Sequence, residues 1–222
     1  MAAKHAVSAA AEEQRGREKE RKIRNMSDDA EEERQYFVRT VQSFAEYERH
    51  SVLCIERMRS NIHSVLSADD RGLLRLDERF DRMIECVRQN ALFFKRVIAP
   101  HSPQPIDPDG TTVKSREGDM HKVRAVLRQL ARDWSAEGAA EREVCYGPIL
   151  RALQSLYPDA AQRSTARVCV PGAGLARLAL EIRRLGFWTE GNEFSFHMLF
   201  TSDHLLVSCR CAVSAVVHCI KW

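Results

Sequence analysis

The chain has 222 residues, 44% of them hydrophobic and 29% charged, with a formal net charge of +3. That length fits one good-sized domain or two small ones, and the composition is that of a soluble globular chain. The small net charge, mixed in sign along the sequence, argues against a nucleic-acid or membrane-surface partner, and no apolar run reaches the length of a membrane helix.

Residues 1–26 are rich in Ala, Glu, Arg, Lys and Gln and nearly free of large apolar groups. Such a stretch buries too little surface to offset chain entropy, so a disordered charged tail or a frayed, solvated helix is expected. Ser27, Asp28 and Asp29 offer N-caps, and apolar residues then recur at helical spacing: Phe37, Val41 and Phe44, followed by Ile55, Met58, Ile62 and Val65. Ser67 with Asp70 has the spacing of a capping box, and Leu76, Phe80, Met83, Val87, Ala91 and Phe94 form a near-heptad seam. Residues 27–98 therefore read as two long antiparallel helices joined near Ser67–Gly72, with the aromatic and methionine stripe as core. Pro100, Pro103, Pro105, Pro108 and Gly110 mark a linker at 99–118, where His101 is expected to be solvated.

Asp119 can cap the next helix, whose apolar face is Met120, Val123, Leu127, Leu130 and Trp134. Gln129 and Arg132 lie three apart on another face, and periodicity alone makes them a solvated polar face. Residues 141–156 read as helix, broken or kinked at Gly147-Pro148.

The stretch 167–193 reads as strand, glycine turn, helix, strand and acid. Val168, Cys169 and Val170 suit a strand buried on both faces. Gly172 and Gly174 allow a tight turn and close approach of a ligand. Leu175, Leu178, Ala179, Ile182 and Leu185 make the inner face of a helix that Gly186 stops. A second strand is expected at 187–191. Glu193 follows Gly172 by 21 residues, which fits an acid that grips a ribose. The pattern alone leaves NAD and S-adenosylmethionine open, and lacks the Gly-Lys-Ser/Thr of a P-loop.

Three runs carry a resemblance: Val170 to Ala179 (VPGAGLARLA), Gly191 to Ser202 (GNEFSFHMLFTS) and Leu127 to Ile149 (LRQLARDWSAEGAAEREVCYGPI). They closely resemble the carnosine N-methyltransferase family, over about Asp28–Leu206. The resemblance implies an S-adenosylmethionine-dependent enzyme that methylates the imidazole nitrogen of carnosine, or a related histidine dipeptide, to give anserine. It makes Gln129, Arg132, Gly172 and Glu193 the cofactor contacts, with Gly174 shaping the turn. Arg132 suits the methionyl carboxylate through bidentate hydrogen bonds. No metal is required. The fold class it implies is α/β: an N-terminal helical region, then the first part of a Rossmann-like methyltransferase sheet at 119–206, incomplete at its C-terminus.

Family members continue through further strands, an Asp-Phe cofactor motif and the dipeptide-binding residues, so no catalytic residue is named here. The stretch 207–222 reads as a non-family tail, as a truncated gene product would carry. Its Cys209, Cys211, His218 and Cys219 fit no standard zinc spacing. The seven cysteines are odd in number, four of them lie within apolar periods, and no secretory signal is read, so reduced thiols and a cytoplasmic or nuclear location are expected. Two other classes stay open: a non-catalytic interaction protein that dimerises through its N-terminal helices, and a fragment of a nicotinamide oxidoreductase.

Overall fold

The structure, a computed structural model, describes residues 2–101 and 115–208, with side chains over 29–101 and 115–207. Most of the Pro-rich linker and the cysteine-bearing tail lie outside these; Ser27, Asp28 and Asp29, expected to cap a helix, fall within one, so that expectation is corrected. The chain divides into two units, Met1–Val38 and Arg39–Trp222. Helix α1 is assigned over Ala2–Val65, so the charged stretch 2–26 lies within it. In the first unit, Glu31 accepts hydrogen bonds from Arg34 at 3.0 Å and Gln35 at 3.1 Å, local pairs of the kind that support a solvated helix.

In the second unit, α1 runs to Val65, a short α2 follows at Ala68–Leu73, and α3 covers Leu76–Ile98. Ser67 caps α2 as its spacing predicts: its Oγ accepts the Asp70 N–H at 3.1 Å and donates to Asp70 Oδ2 at 2.6 Å. The α1–α3 pairing is antiparallel. Going down α1, His63 meets Asp77 at 2.7 Å, the Tyr47 hydroxyl accepts from Asn90 Nδ2 at 3.3 Å, and the Phe44 ring lies 4.8 Å from that of Phe94. Partner numbers rise as α1 numbers fall, which only an antiparallel pair gives.

The stripe is core along much of this hairpin but not throughout. Phe44, Tyr47, Phe80, Val87, Ala91 and Phe94 are buried, whereas Met58 is 48% and Val65 81% exposed. The exposed members lie in the last two turns of α1. His101 closes a short 3-10 turn at Ala99–His101 and stacks on Phe200 at 4.1 Å, so the expectation of a solvated histidine is corrected.

Helix α4, Glu117–Trp134, buries Met120, Val123, Leu127 and Leu130 of the expected face and also Val126, while Trp134 of that face is half-buried. Its N-cap is Arg116 rather than Asp119. Asp119 sits three residues in, and its carboxylate reaches back to accept the Arg116 N–H at 3.0 Å. Helix α5, Ala139–Leu156, continues through Pro148, so of the expected break or kink the break does not occur. Proline removes the donor that would serve the Val144 carbonyl; Val144 is 75% exposed, so water can replace it. Helix α6 spans Ala160–Thr165.

Strands β1, Arg167–Pro171, and β2, Trp188–Asn192, are parallel, with Val170 opposite Gly191, and are joined through α7, Arg177–Arg184. Val170, Ile182 and Phe187 form a small core, against which Leu150 and Leu153 of α5 pack. The expectation of a strand buried on both faces is corrected: Val170 is buried but Cys169 is exposed. Alternation puts Cys169 on the opposite face from Val170, and that face has no helix over it among the described residues. Cys145, also expected within an apolar period, is exposed too. Helix α8, Phe196–Asp203, follows β2, and a π-helical turn covers His204–Ser208.

Candidate functional site

The turn between β1 and α7 takes left-handed backbone at alternate positions, with φ of 61° at Gly172, 54° at Gly174 and 59° at Ala176. The two glycines serve different ends. A Cβ on Gly174 would stand 2.9 Å from Gln129 Oε1, so this glycine admits α4 as well as the turn. A Cβ on Gly172 would meet nothing within 4 Å; the space above it is open. The Ala173 N–H donates to the Asn192 carbonyl at 2.8 Å, which ties the turn to the end of β2.

Glu193 completes that end. Its Oε2 accepts the Gly174 N–H at 2.8 Å, while Oε1 accepts the N–H groups of Phe194 and Ser195, each at 2.8 Å. The carboxylate thus holds the glycine turn and sits at the start of α8, where a negative charge is favoured. A carboxylate has about four acceptor positions, and three are used, so one remains for a ligand hydroxyl.

Gln129 reaches the turn from α4. Its Oε1 is buried and has no hydrogen-bond partner among the described residues. A buried acceptor without a donor costs about 1–3 kcal/mol, so the position is suited to an incoming N–H or O–H. Gln129 also lines an open depression of about 400 Å³ with Ala125, Arg128, Arg132 and Glu141. Gly172 and Glu193 are not among its lining residues; Gln129 is what joins the depression to the turn.

Arg132, one turn further along α4, points into this depression and into a smaller one of about 150 Å³ lined with Glu141, Arg142, Cys145 and Tyr146. It is not a bare cation. Its Nε donates to Asp133 Oδ1 at 2.7 Å and its Nη2 to Oδ2 at 3.1 Å. The Tyr146 hydroxyl donates to Asp133 Oδ1 at 2.9 Å. The hydrogen bonds that Arg132 donates to Asp133 raise the guanidinium pKa further, and burial, then Asp133, pushes the Tyr146 phenol up to about 12. Both groups keep their protons at neutral pH.

Two links join this region to the turn: the Trp134 indole N–H donates to the Leu175 carbonyl at 3.2 Å, and Arg177 Nη1 donates to the Asp133 carbonyl at 3.2 Å. Arg142 Nη1 donates to the carbonyls of Arg132 at 2.6 Å and Ser135 at 2.8 Å, closing the C-terminus of α4.

Of the four residues expected from the sequence, Gln129 and Glu193 both lie against Gly174, Arg132 shares the depression with Gln129, and Gly172 belongs to the turn two residues before Gly174. Sequence reading missed Asp133 and Tyr146. The only local signal was an acid, Asp133, beside an apolar helix face where it had to find a partner. The aromatics after Glu193 divide: Phe200 is buried and Phe194 is 88% exposed. His197 is fully buried, with Nε2 3.0 Å from Ser43 Oγ of α1, and belongs to the helical core.

Residues 109–220 match the profile of a family described as carnosine N-methyltransferase, a match that runs past Leu206. The carnosine N-methyltransferase of Rattus norvegicus is 31% identical over 195 residues, covering 84% of this chain and 49% of that protein. That of Schizosaccharomyces pombe is 35% identical over 188 residues, covering 81% and 50%. That of Dictyostelium discoideum is 32% identical over 191 residues, covering 78% and 41%. The chain spans about half the length of the curated relatives it matches.

Proposed function

From the chain's membership of the carnosine N-methyltransferase family, we propose that this region binds S-adenosylmethionine for methyl transfer to the imidazole nitrogen of carnosine, giving anserine. The observation that carries the cofactor assignment is the buried Gln129 Oε1, without a donor, beside the glycine turn that Glu193 holds. Glu193 has acceptor capacity left for a ribose hydroxyl. The space over Gly172 lets a ligand approach the backbone. Arg132 supplies the positive charge that a methionyl carboxylate needs.

When bound, S-adenosylmethionine supplies an electrophilic methyl group on a sulfonium. The chain's own residues bind and orient: Gln129 and Glu193 fix the nucleoside end and Arg132 the amino-acid end. Methyl transfer to a neutral imidazole nitrogen is an in-line displacement, whose rate depends on alignment and on exclusion of water. Gly174 and Ala176 shape the turn that sets this alignment.

Calorimetric titration of the chain with S-adenosylmethionine tests the assignment. One-site saturable binding, weakened in Gln129→Ala, is expected; heat of binding unchanged in that variant would remove Gln129 from the site. A methyl-transfer assay with carnosine, read against histidine as acceptor, then tests the substrate.

A further inference from the structure

We propose that Asp133 is a positioning residue: it grips one edge of the Arg132 guanidinium so that the other edge faces the depression as a clamp for an amino-acid carboxylate. The inference rests on the reading that S-adenosylmethionine is the ligand, and adds to it how the arginine is aimed.

A guanidinium has five N–H groups and two edges that can each bind a carboxylate in bidentate fashion. Asp133 takes the edge made by Nε and Nη2. The edge made by Nη1 and the second Nη2 proton has no carboxylate partner among the described residues. The pair is asymmetric: the Asp133 side chain is 3% exposed and that of Arg132 is 44% exposed. The carboxylate is therefore the fixed inner member and the guanidinium the outer one.

Asp133 is itself held from two sides. Tyr146 donates to its carboxylate from α5, and Arg177 donates to its carbonyl from α7. Arg142 holds the Arg132 carbonyl. An arginine on a free helix face samples many rotamers, and ordering it on binding costs entropy. Here the ordering is done before a ligand arrives. The depression carries both signs, with Arg128 and Arg132 against Glu141, which matches the zwitterionic end of an amino acid.

The test is a calorimetric titration of the full chain with S-adenosylmethionine and with its decarboxylated analogue, for wild type, Asp133→Asn and Tyr146→Phe. Asp133→Asn is expected to lose about tenfold or more in affinity for S-adenosylmethionine and less than about twofold for the analogue, as for loss of an aligned charge-assisted contact. Tyr146→Phe should show a smaller loss with the same ligand selectivity, and decides the matter if Asp133→Asn does not fold. Equal losses for both ligands, or none for either, overturn the proposal. Wild type binding neither ligand sinks the cofactor reading alone. The positioning is then judged by nitrogen NMR of the Arg132 Nε–H. Slow solvent exchange in wild type and fast exchange in Asp133→Asn support it; fast exchange in wild type overturns it.

Discussion

Glu193 Oε2 accepts the backbone N–H of Gly174 at 2.8 Å, so the acid at the end of β2 is bonded directly to the glycine turn at the end of β1. Two parallel strands are thereby linked beyond their ladder, at the point where a ligand of an open α/β sheet is expected. The same carboxylate accepts two N–H groups at the start of α8. Its structural role and its proposed ligand-binding role are therefore joined.

Glu193→Gln should lower both stability and affinity. The amide keeps one carbonyl acceptor but loses the charge and the second acceptor, leaving a backbone N–H unserved. Hydrogen bonds to a charged group contribute about 1.5–3 kcal/mol, which sets the expected loss in urea unfolding. S-adenosylmethionine affinity should fall as well. Unchanged unfolding with reduced affinity would mean that the turn does not depend on this carboxylate.

Gly172→Ala and Gly174→Ala should differ although both positions have positive φ. Each carries the left-handed penalty of about 1–2 kcal/mol. At Gly172 the methyl group enters open space, so ligand affinity should suffer more than stability. At Gly174 it meets Gln129 Oε1 at 2.9 Å, the end of a flexible side chain, so Gln129 should turn away and its contribution to binding should vanish. Chemical-shift changes at the Gln129 side-chain amide in Gly174→Ala, and none in Gly172→Ala, would check the distinction.

The strand–turn–helix–strand segment was legible because its signals are local: two glycines, a helical period and a stop at Gly186, whose φ of 101° few other residues adopt. The hairpin cap was legible for the same reason. Burial was less so, because Val168, Cys169 and Val170 are all apolar while only coverage decides which face is dry; Cys169 lies on the open one. Pro148 does not end α5, and the residue whose carbonyl loses its donor, Val144, is an exposed one. The Arg132–Asp133–Tyr146 group joins two helices through side chains, and no spacing rule predicts such a pairing. Trp134 read as part of an apolar face, which hid its indole N–H bond to Leu175.

Gly138→Ala should be among the most damaging small substitutions. Its φ of −75° suits any residue, so conformation is not the reason. A Cβ there would lie 2.1 Å from the Arg132 carbonyl oxygen and 2.6 Å from that of Ala131, both backbone atoms. The α4–α5 connection must open to admit it, at about 3 kcal/mol, the upper end for an added methyl group in a packed site. Gly118→Ala is the control: nothing lies within 4 Å of its Cβ, and alanine in a helix should gain up to about 1 kcal/mol. Paired urea titrations of the two variants give the comparison.

His197 should make the helical core sensitive to mild acid. Burial first, then the nearby Lys122 charge, lowers its pKa to about 4, with Asp119 acting weakly in the opposite sense. In the unfolded chain an imidazole titrates near about 6.5. The unfolded state therefore binds the proton first, so the stabilising contribution is complete above about pH 6.5 and is lost as pH falls toward 4. The loss should be roughly 2 kcal/mol at pH 5 relative to pH 7. His197→Phe keeps a ring against Phe44, 5.3 Å away in wild type, and removes the titration. His204, also lowered by burial, would leave the variant a residual slope of the same sign. Urea unfolding at pH 7 and pH 5 for both proteins should give a smaller difference for the variant; equal differences would show that His197 accepts its proton without cost to the fold.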